Sequence, residues 1–301
     1  MITGQNTALK NINLFSVEQK QMLMENIYTH NSYFNSLFHC DHTTFNTALE
    51  SQTLRNAVSN FLVNRQLIPA NTPLETIHEH LTEEMRAYNF NDGVNKISTT
   101  LYEQNDEIQA AYLMLIKKLR TSFLNEAFYF QATPTIRIHC PNSLNSHHYP
   151  RYHSDISYGH PPEEINIWLP LTEIKTGHGF KLLNVSDSRN LLKNYDYNFE
   201  SFINDAIHNP NLTQQCENHA FNVNANLGEL FAFDSRCIHS GEPLKSHTRI
   251  SLDIRILPVS RFDEMDIEYQ GSGRRKILFT PGHCYHHLNS DQLLNTEGLS
   301  S

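Results

Sequence analysis

His153 and Asp155 stand two apart in Tyr152-His153-Ser154-Asp155, and this spacing is the chain's strongest chemical hint. On an extended strand, side chains at i and i+2 leave the same face. An imidazole and a carboxylate would then stand side by side, with Ser154 turned away. Alone, a His-x-Asp tripeptide is common. A third ligand is available in His239, delivered by a short connection after the strand-like run Gly228-Glu229-Leu230-Phe231-Ala232-Phe233-Asp234. Two histidines and one carboxylate suit a non-heme Fe(II) and leave its other coordination positions open. The bland alternative for His239 is a buried histidine bonded to backbone.

The residues after His239 favour a site. Ser240 to Ser246 is turn-rich, with Gly241 and Pro243, and the run from Arg249 to Ile256 then alternates strictly. Ile250, Leu252, Ile254 and Ile256 share one face; Arg249, Ser251, Asp253 and Arg255 share the other. Such a polar row either meets solvent or lines a polar cavity. A strand returning from a metal ligand sets Arg249, ten residues after His239, a little deeper than the metal. There a guanidinium can grip a carboxylate through two hydrogen bonds, with the Ser251 hydroxyl as a second donor. Ile165 to Thr172 alternates like a barrel strand and carries Asn166 and the chain's one tryptophan, Trp168.

Elements must hold these groups in place. From Ser16 to about Phe128 the pattern is mainly helical. Ser16 and Gln19 form a capping-box pair for a helix to about Thr29. Leu54, Val58, Phe61 and Leu62 mark one helix face, and Ile108, Tyr112, Leu115, Leu119 and Phe123 another, from about Asn105 to Glu126. Thr72-Pro73-Leu74-Glu75 predicts a helix running to about Asn89, followed by a turn at Asn91-Asp92-Gly93. These helices carry no chemical motif and read as support for a sheet. Past Gln131 short strands are expected at 135–140, 148–153, 165–171, 180–185, 227–233, 249–257 and 276–279, a pattern of barrels and jelly rolls. The Asn-rich stretch 194–219 reads as a loop insertion over the barrel mouth, and Gly271 to Arg275 as a basic turn. The expected division is a helical region at 1–128, part of or packed on the core, a β domain at 129–290 and a disordered tail at 291–301.

The 301 residues, 39% hydrophobic, suffice for one large domain with a helical annex. A net charge of −9 argues against nucleic acid as a general partner and is compatible with a cationic small substrate. The longest apolar runs are too short to cross a bilayer, and residues 1–13 show no secretory pattern. Five scattered cysteines without a Cys-x-x-Cys pair suit reduced thiols and argue against structural zinc. A cytoplasmic protein with no membrane partner is expected.

Arg137-Ile138-His139, Tyr152 to Asp155, Asn166 to Leu171 and the stretch from His239 to Arg255 together resemble the Fe(II)/2-oxoglutarate-dependent dioxygenases. Within these the chain is similar to the phytanoyl-CoA dioxygenase-like branch, near oxygenases of bacterial sugar and aminoglycoside clusters. The resemblance implies an α+β fold, a double-stranded β-helix or jelly roll with helices packed outside. It implies that His153, Asp155 and His239 hold iron, and that Arg249 and Ser251 hold the far carboxylate of 2-oxoglutarate. Asn166 and Arg137 would approach the cosubstrate or the substrate. The implied reaction consumes O2, releases succinate and CO2, and hydroxylates or otherwise oxidises a small polar, sugar-, cyclitol- or amino-acid-like molecule. With a carboxylate among the ligands there is no vacancy for a halide, which disfavours halogenation. Two alternatives stay open: a non-enzymatic cupin-like metal or sugar binder, which needs no clamp such as Arg249, and a protein side-chain hydroxylase, which needs an open groove. The chain departs from the branch at Asn184 to Ser188, where many members carry Pro-Gly-Ser-His, and in the pair His147-His148.

Overall fold

The computed structural model describes residues 10–11, 14–30, 32–38, 40–89, 94–103, 105–146, 152–174, 179–242, 244–265, 267–268 and 285–288. The turn at 91–93, the pair His147-His148, the basic turn at 271–275, the strand expected at 276–279 and the tail lie outside these residues.

The helices are α1 (Val17–Thr29), α2 (Ser32–Leu37), α3 (Ala48–Asn64), α4 (Glu83–Arg86), α5 (Lys96–Thr100), α6 (Asp106–Ser122), α7 (Val185–Lys193), α8 (Phe199–His208), α9 (Pro210–His219) and α10 (Val259–Glu264). The strands are β1 (Lys10–Asn11), β2 (His42–Asn46), β3 (Phe128–Gln131), β4 (Ile136–His139), β5 (Ile165–Pro170), β6 (Phe180–Leu182), β7 (Phe221–Val223), β8 (Glu229–Asp234), β9 (His239–Gly241), β10 (Arg249–Pro258), β11 (Ile267–Glu268) and β12 (Tyr285–Leu288).

α1 begins at its capping box, with Ser16 and Gln19 each accepting from the other's amide. α3 and α6 bury the faces read from their periods, and the Asn105 side chain caps α6. The helix expected after Pro73 does not run through. A 3-10 turn covers Leu74–Glu79, and α4 restarts from Thr82 as its cap. The cause is Glu75. Its two oxygens take Arg55 at 2.9 and 3.0 Å, and one also takes the Glu173 amide, so the carboxylate serves tertiary contacts and closes no box.

Stretch 194–219 is α8 and α9 and not a loop. Its asparagines work as helix starts: Asn198 and Asn209 accept from amides at the heads of α8 and α9. Asn184 does the same for α7, which ends the strand expected at 180–185 after Leu182.

The larger sheet is antiparallel throughout, in order β12-β3-β10-β5-β8-β2, with β4 also paired to β10. β2 comes from the stretch read as helical and pairs with β8 as an edge strand. The smaller sheet is β7-β6-β9, also antiparallel. β10 carries the argument. Its isoleucine and leucine face joins Ile136, Ile138, Ile165, Ile167 and Leu169 and packs under α3 and α6 in one hydrophobic core. Each such buried side chain contributes roughly 1.5–3 kcal/mol. The opposite face of the larger sheet supplies Trp168, Phe231 and Phe233 to a second core, against Phe180, Leu182 and Val223 of the smaller sheet. The site lies between the two sheets. No helix among the described residues is long and apolar enough to cross a membrane.

Candidate metal centre

Residues directly opposite on paired strands share a face. The register sets Arg249 against His139, Ser251 against Arg137, Asp253 against Trp168, and Arg255 against Asn166. The polar row of β10 therefore looks into the space between the sheets. Ser251 and Arg249 are buried, at 1% and 3% exposure, which removes the solvent-facing reading for that end of the row.

The His-x-Asp motif is not on a strand. His153 makes a single antiparallel bridge to His239, closed by reciprocal amide-to-carbonyl bonds of 3.0 and 2.8 Å. Ser154 is extended, and Asp155 opens a 3-10 turn, Asp155–Tyr158. Gly159 ends that turn at φ 97°, a left-handed conformation that suits glycine. The extended Ser154 is enough to keep the two side chains on one side. One ligand atom from each of His153, Asp155 and His239 lies within 4.8 Å of the others.

His239 and Asp155 are chemically prepared for a cation. His239 Nδ1 lies 3.1 Å from the Cys237 carbonyl, which can only accept, so Nδ1 donates and Nε2 keeps its lone pair. Burial, against the pull of Asp155, lowers the pKa of His239 and favours the neutral ring a metal needs. Burial by itself would raise the pKa of Asp155. Arg255, then His239, His160 and His153, overcome it and hold the carboxyl well below the usual range. Aromatic rings wall the histidines: Tyr158 stands 5.1 Å from His153, and Phe233 5.2 Å from His239. Two neutral-capable imidazoles and a held carboxylate, with aromatic walls, fit a divalent transition metal.

Arg255 is the residue that sequence reasoning did not single out, although it stood in the inward row. Its guanidinium holds Asp155, with Nε 3.0 Å from Oδ2 and Nη2 2.9 Å from Oδ1. Behind it lies Glu164, fully buried, which accepts from the Tyr285 hydroxyl and lies 2.7 Å from His160 Nδ1. Arg249 sits at the head of β10 and donates to the Gly179 carbonyl. Ser251 Oγ donates to Asp253 at 3.0 Å, and Arg137 Nε meets the same carboxylate at 2.7 Å. Asn166 is 3% exposed, and neither its amide nitrogen nor its oxygen has a hydrogen-bond partner among the described residues. A cavity of about 220 Å³ opens beside the Arg249 end, with Tyr88, His139, Gly241, Glu242 and Lys245 in its walls.

No family model matches the chain. Over 167 residues it is 26% identical to the streptomycin biosynthesis protein StrG of Streptomyces griseus, across 55% of this chain and 64% of that protein. The chain thus spans less than two thirds of the length of this relative. Among solved structures it is similar to AviO1 from Streptomyces viridochromogenes (TM-score 0.45, 12% identity, 77% of this chain and 96% of that one). It is also similar to EctD from S. alaskensis with 2-oxoglutarate and 5-hydroxyectoine (0.40, 12%, 77% of each chain). A third is the non-heme alpha ketoglutarate dependent epimerase SnoN from nogalamycin biosynthesis (0.42, 11%, 84% and 96%).

Proposed function

We propose that the chain is an Fe(II)- and 2-oxoglutarate-dependent oxygenase acting on a small polar molecule. The observation that carries this reading is the meeting of His153, Asp155 and His239 within 4.8 Å, between two antiparallel sheets and below a buried row that includes Arg249 and Ser251. On this reading the two sheets are the two faces of a double-stranded β-helix. His153, Asp155 and His239 hold the metal through two nitrogens and a carboxylate oxygen. Bound there, iron would supply the two-electron oxidation of substrate, coupled to conversion of 2-oxoglutarate and O2 to succinate and CO2.

The chain's own residues bind, orient and keep out water. Arg249 and Ser251 are the donors for the far carboxylate of the cosubstrate. Asn166 brings an amide whose donor and acceptor are unused among the described residues, and such a buried amide gains most by meeting a polar ligand. Arg137 offsets the charge of Asp253, and the Ser251 hydroxyl, which donates to Asp253 in this structure, would turn from that carboxylate to the cosubstrate. The aromatic rings beside the histidines exclude water from the reacting face. The polar walls of the 220 Å³ cavity, Glu242 and Lys245 among them, suit a small sugar- or amino-acid-like substrate, and the StrG likeness points the same way.

Anaerobic addition of Fe(II) and 2-oxoglutarate tests this. A weak visible charge-transfer band is expected, with succinate formed slowly once air is admitted. The band should vanish in Asp155→Ala. Failure of the wild-type protein to bind 2-oxoglutarate or to form succinate would sink the reading.

A further inference from the structure

Arg255 holds both oxygens of the carboxylate that stands with the two histidines. Its Nη2 lies 2.9 Å from Oδ1 and also 2.9 Å from Oδ2, while Nε lies 3.0 Å from Oδ2. A guanidinium that reaches both oxygens at once approaches from between them. A metal ion chelated by both oxygens needs that same approach. The two cations cannot share it.

Little in the surroundings lets Arg255 step aside. Its side chain is 14% exposed and that of Asp155 2%. The carboxylates of Asp155 and Glu164 both favour its charge against the cost of burial. Glu164 in turn is tied by Tyr285 and His160. Asp155 is fixed from its own side too, since the His160 amide closes onto its carbonyl at 3.3 Å. The lone pairs of Asp155 left over for a metal are those turned away from Arg255.

We propose that Arg255 is a positioning residue that bars the chelating face of Asp155, so that a metal held by His153 and His239 takes one carboxylate oxygen only. This rests on the metal-site reading above. The consequence is a matter of counting. A six-coordinate ion with three single-atom protein ligands keeps about three positions, enough for a two-point ligand and one more. A chelating Asp155 would leave about two, and a two-point cosubstrate would fill them.

The test uses the full chain and Mn(II), with water-proton relaxation counting the exchangeable waters on the bound ion. Wild type is expected to show about three and Arg255→Gln about two, a loss of about one third of the relaxation enhancement. Mn(II) should bind Arg255→Gln at least as tightly as wild type, because a neighbouring cation is gone and a second oxygen is gained. A count of about two in the wild type, or about three in the variant, overturns the proposal. Weaker Mn(II) binding at an unchanged count gives Arg255 a merely structural role and overturns it as well. Arg255→Met, apolar and similar in length, stands in if Arg255→Gln does not fold, and a count of about three in it overturns the proposal. Complete lack of Mn(II) binding by the wild type would instead fail the underlying metal-site reading.

Discussion

Among the described residues, two carboxylate–guanidinium pairs have a fully buried carboxylate, Asp234–Arg236 and Asp155–Arg255, and their surroundings differ. The first is closed. Arg236 Nε reaches both Asp234 oxygens, Nη2 reaches one of them, and the Arg236 amide adds a further bond. Arg236 Nη1 donates to the Ile27 carbonyl in α1, and its guanidinium lies over the Phe34 ring at 5.4 Å. The Tyr28 hydroxyl donates to the Arg236 carbonyl. This pair ties α1 to the end of β8. Burial pushes the pKa of Asp234 up, with Arg236 holding it back. The second pair is open. One side of Asp155 meets Arg255 and the other meets two imidazoles, and its pKa is held well below the usual range. The difference teaches that a buried ion pair marks a site only when part of its bonding capacity is turned toward other ligands.

Breaking the closed pair should have the largest effect on stability. Asp234→Ala leaves Arg236 buried and uncompensated, at a cost of about 3–5 kcal/mol, with the metal affinity of the folded fraction unchanged. Denaturant unfolding and metal titration check both halves. A cost under about 1 kcal/mol would mean the pair is not what holds α1.

A smaller effect comes from Glu163, a carboxyl that neither pair accommodates. One of its oxygens is sealed without a hydrogen-bond partner among the described residues, and burial, with Glu164 beside it, pushes its pKa up to about 7. Because the folded pKa lies above the usual 4.5, its stability contribution is fully present below that value and is lost as the pH rises through about 7. Wild type should therefore lose on the order of 3 kcal/mol between pH ~4.5 and pH ~8.5 that Glu163→Gln does not lose. Parallel stability curves for the two proteins would show that Glu163 is not the group responsible.

The smallest effect is at the far end of α1. Ser16→Ala removes the capping box and should cost about 0.5–1 kcal/mol, less than loss of the Arg236 anchor. A cost equal to that of Asp234→Ala would reverse the ranking of cap and anchor.

Some of this was legible in the chain and some was not. β10 was legible because one face is wholly Ile and Leu, and alternation with period two has a single reading. α6 was legible because its period and its Asn105 cap agree. β2 was not: His42–Asn46 lies among helices, and only pairing with β8 makes it a strand. α8 and α9 were hidden because asparagines suit a loop as well as a cap, and only the chain after each one decides between them.

The sequence by itself determined the residue types of the candidate site and the contrast between the two faces of β10, because these can be read locally. Which arginine meets Asp155 was decided only by tertiary structure. Arg249 and Arg255 lie on the same face of one strand and look alike to any local rule. The choice rests on where the 3-10 turn at Asp155 docks along β10, set by the His153–His239 bridge and the buried Glu164 behind it. Those contacts join residues far apart in the chain, and no local pattern encodes their register.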